Sequence, residues 1–73
     1  MDEDGVVDAL TRLGLKTYEA RVFVALQKLG TGTASDVAEI TDVPRSQVYG
    51  AADGLEESGL LDVQQTRPTV YRP

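Results

Sequence analysis

The hydrophobic period of this chain changes once, at Gly59, from helical to alternating. That switch restricts the fold to a set of helices followed by a pair of short strands. Two earlier glycines, Gly14 and Gly30, divide the helical part, since glycine is the residue most often found just past a helix end. Residues 2–13 are predicted to form a first helix, with Val6, Val7, Leu10 and Leu13 at helical spacing and Asp2, Glu3 and Asp4 near its positive end. Thr17 is placed to cap a second helix that runs to Gly30, with Glu19 in its first turn. Tyr18, Val22, Ala25, Leu26 and Leu29 form its apolar face, widened by Phe23 and Val24, while Arg21 and Lys28 turn away; this is the expected core helix. Thr33 and Asp36 have the spacing of a capping box for a short helix over 34–41. On that helix Val37 and Ile40 face inward, and the small Ala38 leaves room for a crossing helix. Asp42 is expected to take the following turn in a left-handed conformation, which Asp tolerates better than most residues.

The next segment, VPRSQVYGAADGLEESG, reads as a helix over about 44–58 with one face buried and one presented. Pro44 suits its first turn, where a missing N–H leaves no partner unsatisfied. Val48, Ala51, Ala52 and Leu55 make the apolar stripe, so Ser46, Gln47, Tyr49, Gly50 and Asp53 lie opposite. Near the start, Arg45, Ser46, Gln47 and Tyr49 can all donate hydrogen bonds and none is acidic, a set suited to base edges and phosphate oxygens. Gly50 and Gly54 each lower helix propensity by about 1 kcal/mol. They also put two bare spots on neighbouring turns, for close packing or for close approach of DNA. Ala38, the turn at Asp42, Val43 and Val48 have helix-turn-helix spacing, which many helical hairpins share.

Past Gly59, Leu61 and Val63 alternate with Asp62 and Gln64, TRPT turns the chain, and Val70 and Tyr71 lie in a second strand. Arg67 stands at the tip of this hairpin, in a wing of about 64–70. It is either a solvated turn residue or a wing arginine that meets a phosphate or a minor groove.

Composition narrows the function. With no cysteine and no histidine, the chain has no disulfide framework, no ordinary zinc site, and no His or Cys to act as base or nucleophile. An enzyme, a cofactor and a structural metal are therefore not expected. No apolar run approaches the roughly 20 residues that cross a bilayer, and the acidic start MDED lacks the positive region of a signal peptide, so a cytoplasmic location is expected. The net charge of −5 opposes a nucleic-acid partner, but the twelve acids avoid residues 43–52 and 63–73, which carry Arg45, Arg67 and Arg72. Twelve acids against two lysines and five arginines suggest a surface adapted to high salt and a salt-loving archaeal source; an acidic mesophilic domain is the alternative.

The order of elements, three helices and a hairpin behind an extra leading helix, looks like a winged helix. The stretches LGLKTYEARVFVAL, TASDVAEITDVPRSQVYGAADGLEESGLLDV and RPTVYRP resemble the N-terminal domain of the TrmB family of archaeal transcriptional regulators. GLKTYEARV, VPRSQVY and LEESGLLDV carry the specific part of the likeness. The resemblance covers about Leu13–Pro73 and implies a mainly α fold with a small β-hairpin, a winged helix-turn-helix with an extra N-terminal helix; the length of 73 residues points to a single domain over 1–73. It also implies sequence-specific binding of double-stranded DNA as a transcriptional regulator. Pro44, Arg45, Ser46, Gln47 and Tyr49 would lie on a recognition helix in the major groove, with Gly50 beside them and Arg67 in the wing. Full-length members usually continue into a linking helix and a sugar-binding domain, so an excised domain or a short relative is expected. The complete regulator is expected to be a homodimer. This chain, with no long heptad segment, is expected to associate weakly or stay monomeric. Asp53, on the presented face, would oppose phosphates. The rival reading is a winged helix that binds protein without touching DNA, which the net charge favours.

Overall fold

The computed structural model describes residues 3–73. Asp2 and the side chain of Glu3, expected at the start of the first helix, lie outside the described residues. Four helices, α1 (Glu3–Arg12), α2 (Thr17–Leu29), α3 (Ala34–Ile40) and α4 (Arg45–Glu57), precede two strands, β1 (Asp62–Gln64) and β2 (Val70–Arg72). This is a winged helix-turn-helix with a leading helix.

The glycine punctuation holds. Gly14, Gly30 and Gly59 have φ of 109°, 81° and 78°, a region that costs other residues strain. After α1 and after α4 the chain closes in the same way: the Leu15 N–H donates to the Leu10 carbonyl at 3.2 Å, and the Leu60 N–H to the Leu55 carbonyl at 3.0 Å. The α3 capping box also forms, with the Asp36 N–H donating to Thr33 Oγ1 at 3.2 Å and the Thr33 N–H to Asp36 Oδ2 at 3.0 Å.

Several local expectations fail, two of them in the turns before α2 and α4. The cap of α2 is Lys16, not Thr17: Lys16 is extended, and its N–H donates to Glu19 Oε1 at 2.9 Å. Glu19 reaching back satisfies that amide, so the helix begins without a threonine cap. Asp42 is not left-handed, since no described non-glycine residue has positive φ. Thr41 makes the turn instead. Its hydroxyl donates to the Val37 carbonyl at 2.9 Å and accepts the Val43 N–H at 3.2 Å, joining the end of α3 to the approach to α4.

The core lies where α2, α3 and α4 meet, with Val22, Leu26, Val37, Val43, Val48 and Leu55 all buried. α2 buries Ala20 and Val24 as well, so its covered arc is wide. That arc excludes the helix's two ends. Tyr18 is 44% exposed and Leu29 39%, although both fall at core spacing. Leu13 lies past the end of α1 and is 79% exposed, and Ile40, the last residue of α3, stands clear at 47%. Hydrophobic spacing marks a face but not how far along it the neighbours reach.

The hairpin is antiparallel, with Val63 opposite Tyr71 and Asp62 opposite Arg72. A third segment joins it. The Gly32 N–H donates to the Tyr71 carbonyl at 3.0 Å, and the Tyr71 N–H to the Gly32 carbonyl at 2.7 Å, which ties the wing to the loop before α3. A side chain at position 32 would begin 3.1 Å from Leu29 Cδ1 and 3.4 Å from Asp36 Cβ, so this approach favours glycine on space alone.

Thr41→Val should cost about 1–2 kcal/mol, because it removes an acceptor from the amide of buried Val43 while keeping the side-chain shape. Thr41→Ser should lose less. Urea unfolding of the three proteins checks this, and equal stability of Thr41→Val and the parent would show that the hydroxyl does not hold the turn.

Candidate nucleic-acid interface

α4 is fixed by its buried face: Val48, Ala51, Ala52 and Leu55 are all covered. The other face is free, and Pro44, Arg45, Ser46, Gln47, Tyr49 and Gly50 are all exposed. Pro44 is the residue before the helix rather than part of its first turn. Its φ of −59° and ψ of 142° are extended, and its carbonyl accepts the Gln47 N–H at 2.8 Å and the Val48 N–H at 3.1 Å. The Arg45 guanidinium folds along one helical turn to Tyr49, donating from Nε at 3.4 Å and from Nη2 at 3.3 Å to the phenol oxygen. These are long bonds to a neutral acceptor, so the positive charge stays available.

The order of charges along α4 is unusual. Helices favour acids in the first turn and bases in the last, by about 0.3–1 kcal/mol each. α2 obeys, with Glu19 first and Lys28 last; α1 ends in Arg12 and α3 begins with Asp36. α4 has Arg45 in its first turn and Glu56 and Glu57 in its last. That arrangement works against the helix and puts the cation where the exposed hydrogen-bond donors are. The acidic half stands toward the hairpin: burial holds the Tyr71 phenol above its ordinary 10.0, and Asp53, Tyr49 and Glu56 push it the same way.

Pairing sorts the cations further. Arg72, which the sequence places in an acid-free stretch, donates to Asp62 Oδ2 at 2.9 Å across the hairpin. Strand register thus brings an acid opposite it and takes it out of the candidate set. Arg12 is paired with Asp8 on α1. Arg45 and Arg67 have no ion-pair partner among the described residues.

Depressions flank α4 on two sides. One, of about 460 Å³, is lined by Thr33, Ala34, Ser35, Arg45, Tyr49, Pro68 and Thr69, so the start of α3, the start of α4 and the wing turn converge there. Arg67 is exposed beside it, in a turn where Thr66 Oγ1 donates to the Pro68 carbonyl at 2.8 Å. The other, of about 450 Å³, lies between α4 and the first turn of α2, with Gln47, Gly50 and Ala51 on its α4 side. Ser46 stands on the ridge between them. The structure therefore groups Arg45 and Tyr49 on one flank and Gln47 and Gly50 on the other. Sequence reasoning passes over Ser35 and Thr69, which reach the first flank only through tertiary packing and leave no spacing signal.

The sequence profile of the family described as "Sugar-specific transcriptional regulator TrmB" matches residues 10–73. The chain belongs to the TrmB family. It is 30% identical to the HTH-type sugar sensing transcriptional regulator TrmBL1 of Pyrococcus furiosus, covering all of this chain and 21% of that protein. It is 34% identical to the DNA-binding HTH-type transcriptional repressor TrmBL2 of Thermococcus kodakarensis, covering all of this chain and 28% of that one. A solved structure of TrmBL2, described as an archaeal chromatin protein with a novel mode of DNA binding, superposes with a TM-score of 0.93 at 33% identity, over 99% of this chain and 29% of that one. The chain thus spans between a fifth and a third of the length of these relatives.

In this TrmB-family domain the two α4 glycines have different surroundings. A Cβ at Gly54 would run into the Glu19 carboxylate, so α2 packs against that spot. Nothing lies within 4 Å of a Cβ at Gly50, which leaves it open on the flank it shares with Gln47. Gly50→Ala should therefore raise stability by up to about 1 kcal/mol, or about 4–8 °C in Tm for a domain of this size. Gly54→Ala should gain less, because Glu19 must move and release the Lys16 amide. Thermal melts followed by circular dichroism compare them, and equal gains would contradict this division of roles.

Proposed function

We propose that this TrmB-family domain binds double-stranded DNA sequence-specifically as part of a transcriptional regulator. α4 enters the major groove by its first two turns, and the wing rests on the backbone or in the adjacent minor groove. The observation that carries this reading is the exposed first half of α4, where Arg45, Ser46, Gln47 and Tyr49 present donors and an unpaired cation against the preference of the helix itself. The DNA-binding roles of the TrmBL2 relatives support it. The net charge of −5 and the acidic second half of α4 favour the alternative, a protein-binding winged helix. Among the described residues, no helix is long and apolar enough to cross a membrane.

A cytoplasm rich in salt reconciles the acids with DNA. At about 1 M salt the screening length is about 3 Å, so repulsion from Asp53 and the other acids fades, and short-range donors carry recognition. The test is fluorescence anisotropy with a duplex enriched from a random-sequence pool, titrated from dilute buffer to molar potassium chloride. Arg45→Ala should lower affinity about 5- to 150-fold, the equivalent of about 1–3 kcal/mol for a lost base contact. Arg67→Ala should lower it by a similar factor on every sequence. The log–log salt slope should be no steeper than about −3; a slope near −6 would reject the high-salt reading. If the parent chain retains no duplex at any salt, the protein-binding alternative takes its place.

The complete regulator is proposed to be a homodimer whose recognition helices stand about 34 Å apart, one DNA turn. This chain should sediment as a monomer that associates only weakly as concentration rises. A tight dimer at every concentration would contradict that.

A further inference from the structure

We propose that the depression between the first turn of α2 and the outer face of α4 seats a DNA sugar–phosphate strand, with the Lys16 ammonium as its phosphate contact. The proposal rests on α4 being the recognition helix and deepens that reading. A helix with its side chains is about 10–12 Å across, and the major groove is about 12 Å wide, so a helix lying in it meets a backbone strand on each side. The wing-side depression serves one strand through Ser35 and Thr69, with Arg45 at its edge turned to the bases. The second depression, of about 450 Å³, stands on the opposite flank of the same helix.

Its lining suits that occupant. Lys16 is exposed at one end and has no ion-pair partner among the described residues. Gln47 and Gly50 belong both to this depression and to the face of α4 that would read bases, so the surface is continuous from groove floor to groove wall. Gly50 keeps the rim low, with nothing within 4 Å of where a side chain would start. Tyr18 falls at core spacing yet is 44% exposed. Its ring offers apolar surface to a deoxyribose, and its hydroxyl offers a donor. Glu19 is the opposing charge in this lining and keeps that charge while one oxygen accepts the Lys16 N–H; its carboxylate lies over Gly54, one helical turn beyond Gly50 and away from Gln47. The phosphate position is therefore at the Lys16 and Gln47 end.

The test compares Lys16→Gln with Lys28→Gln, which changes net charge equally about 18 Å further along α2. Because the cap of α2 uses the Lys16 backbone N–H, Lys16→Gln should melt like the parent. On a mixed-sequence duplex of about two helical turns, Lys16→Gln should bind several-fold more weakly at low salt, with a log–log salt slope shallower by about 1, and the ratio should be the same on any sequence. Lys28→Gln should match the parent. Backbone amide resonances of residues 16–18 should shift when the duplex is added to the parent. If the parent binds DNA while Lys16→Gln keeps its affinity and slope, or Lys28→Gln loses as much as Lys16→Gln, the seat is refuted and the recognition-helix reading stands. If the parent binds no duplex, both fall together.

Discussion

α4 is held by one face and presents the other, and the seam that holds it is narrow. Val48, Ala52 and Leu55 are buried against the residues of α2 and α3. Two adjacent alanines in that seam let α2 cross closely, and they leave no room for α4 to rotate without driving Arg45 or Gln47, which flank the buried stripe, toward the core. Which donors face outward is therefore decided by which side chains are inward. Total stability for a domain of this size is about 4–11 kcal/mol, and truncating one buried leucine costs about 2–5 kcal/mol, so the presented face depends on very few contacts.

Against that background the reversed charge order of α4 is informative. A marginal domain has little reason to put an arginine at the positive end of a helix and two glutamates at the negative end. Local rules are commonly broken where function requires it. The same contrast resolves the conflict between a chain of net charge −5 and an anionic partner: the acids are displaced from the first half of α4, and Arg72 is neutralised by Asp62. What matters for an approaching polyanion is the short list of cations left unpaired around one helix.

The features legible in the sequence are those with local causes. Gly14, Gly30 and Gly59 end helices because a positive φ is a property of one residue, and Thr33 and Asp36 cap α3 because their partners are three positions apart. The helix over Arg45–Glu57 and its exposed donors follow from spacing alone. Features with distant causes were hidden. Tyr18 and Ile40 have core spacing but sit where their neighbours cover them only in part, and Thr41 displaces Asp42 as the turn-maker through a hydroxyl that bonds in both directions. The pairing of Gly32 with Tyr71, and the joining of Ser35 and Thr69 to Arg45, depend on the folded chain bringing remote segments together.

The connection between α2 and α3 has no slack. Gly30 must end one helix with a positive φ, Gly32 must exchange two hydrogen bonds with Tyr71, and Thr33, the very next residue, must cap the following helix. Each task belongs to a different neighbour, and together they set the length of the loop as well as its composition. Loops usually absorb insertions and deletions cheaply. Here a single added residue would separate the strand pairing from the cap, so either the wing or α3 would lose its anchor. This short turn is thus a ruler in the fold, and lineages of the domain are free to vary its helix surfaces far more readily than the spacing from Gly30 to Thr33.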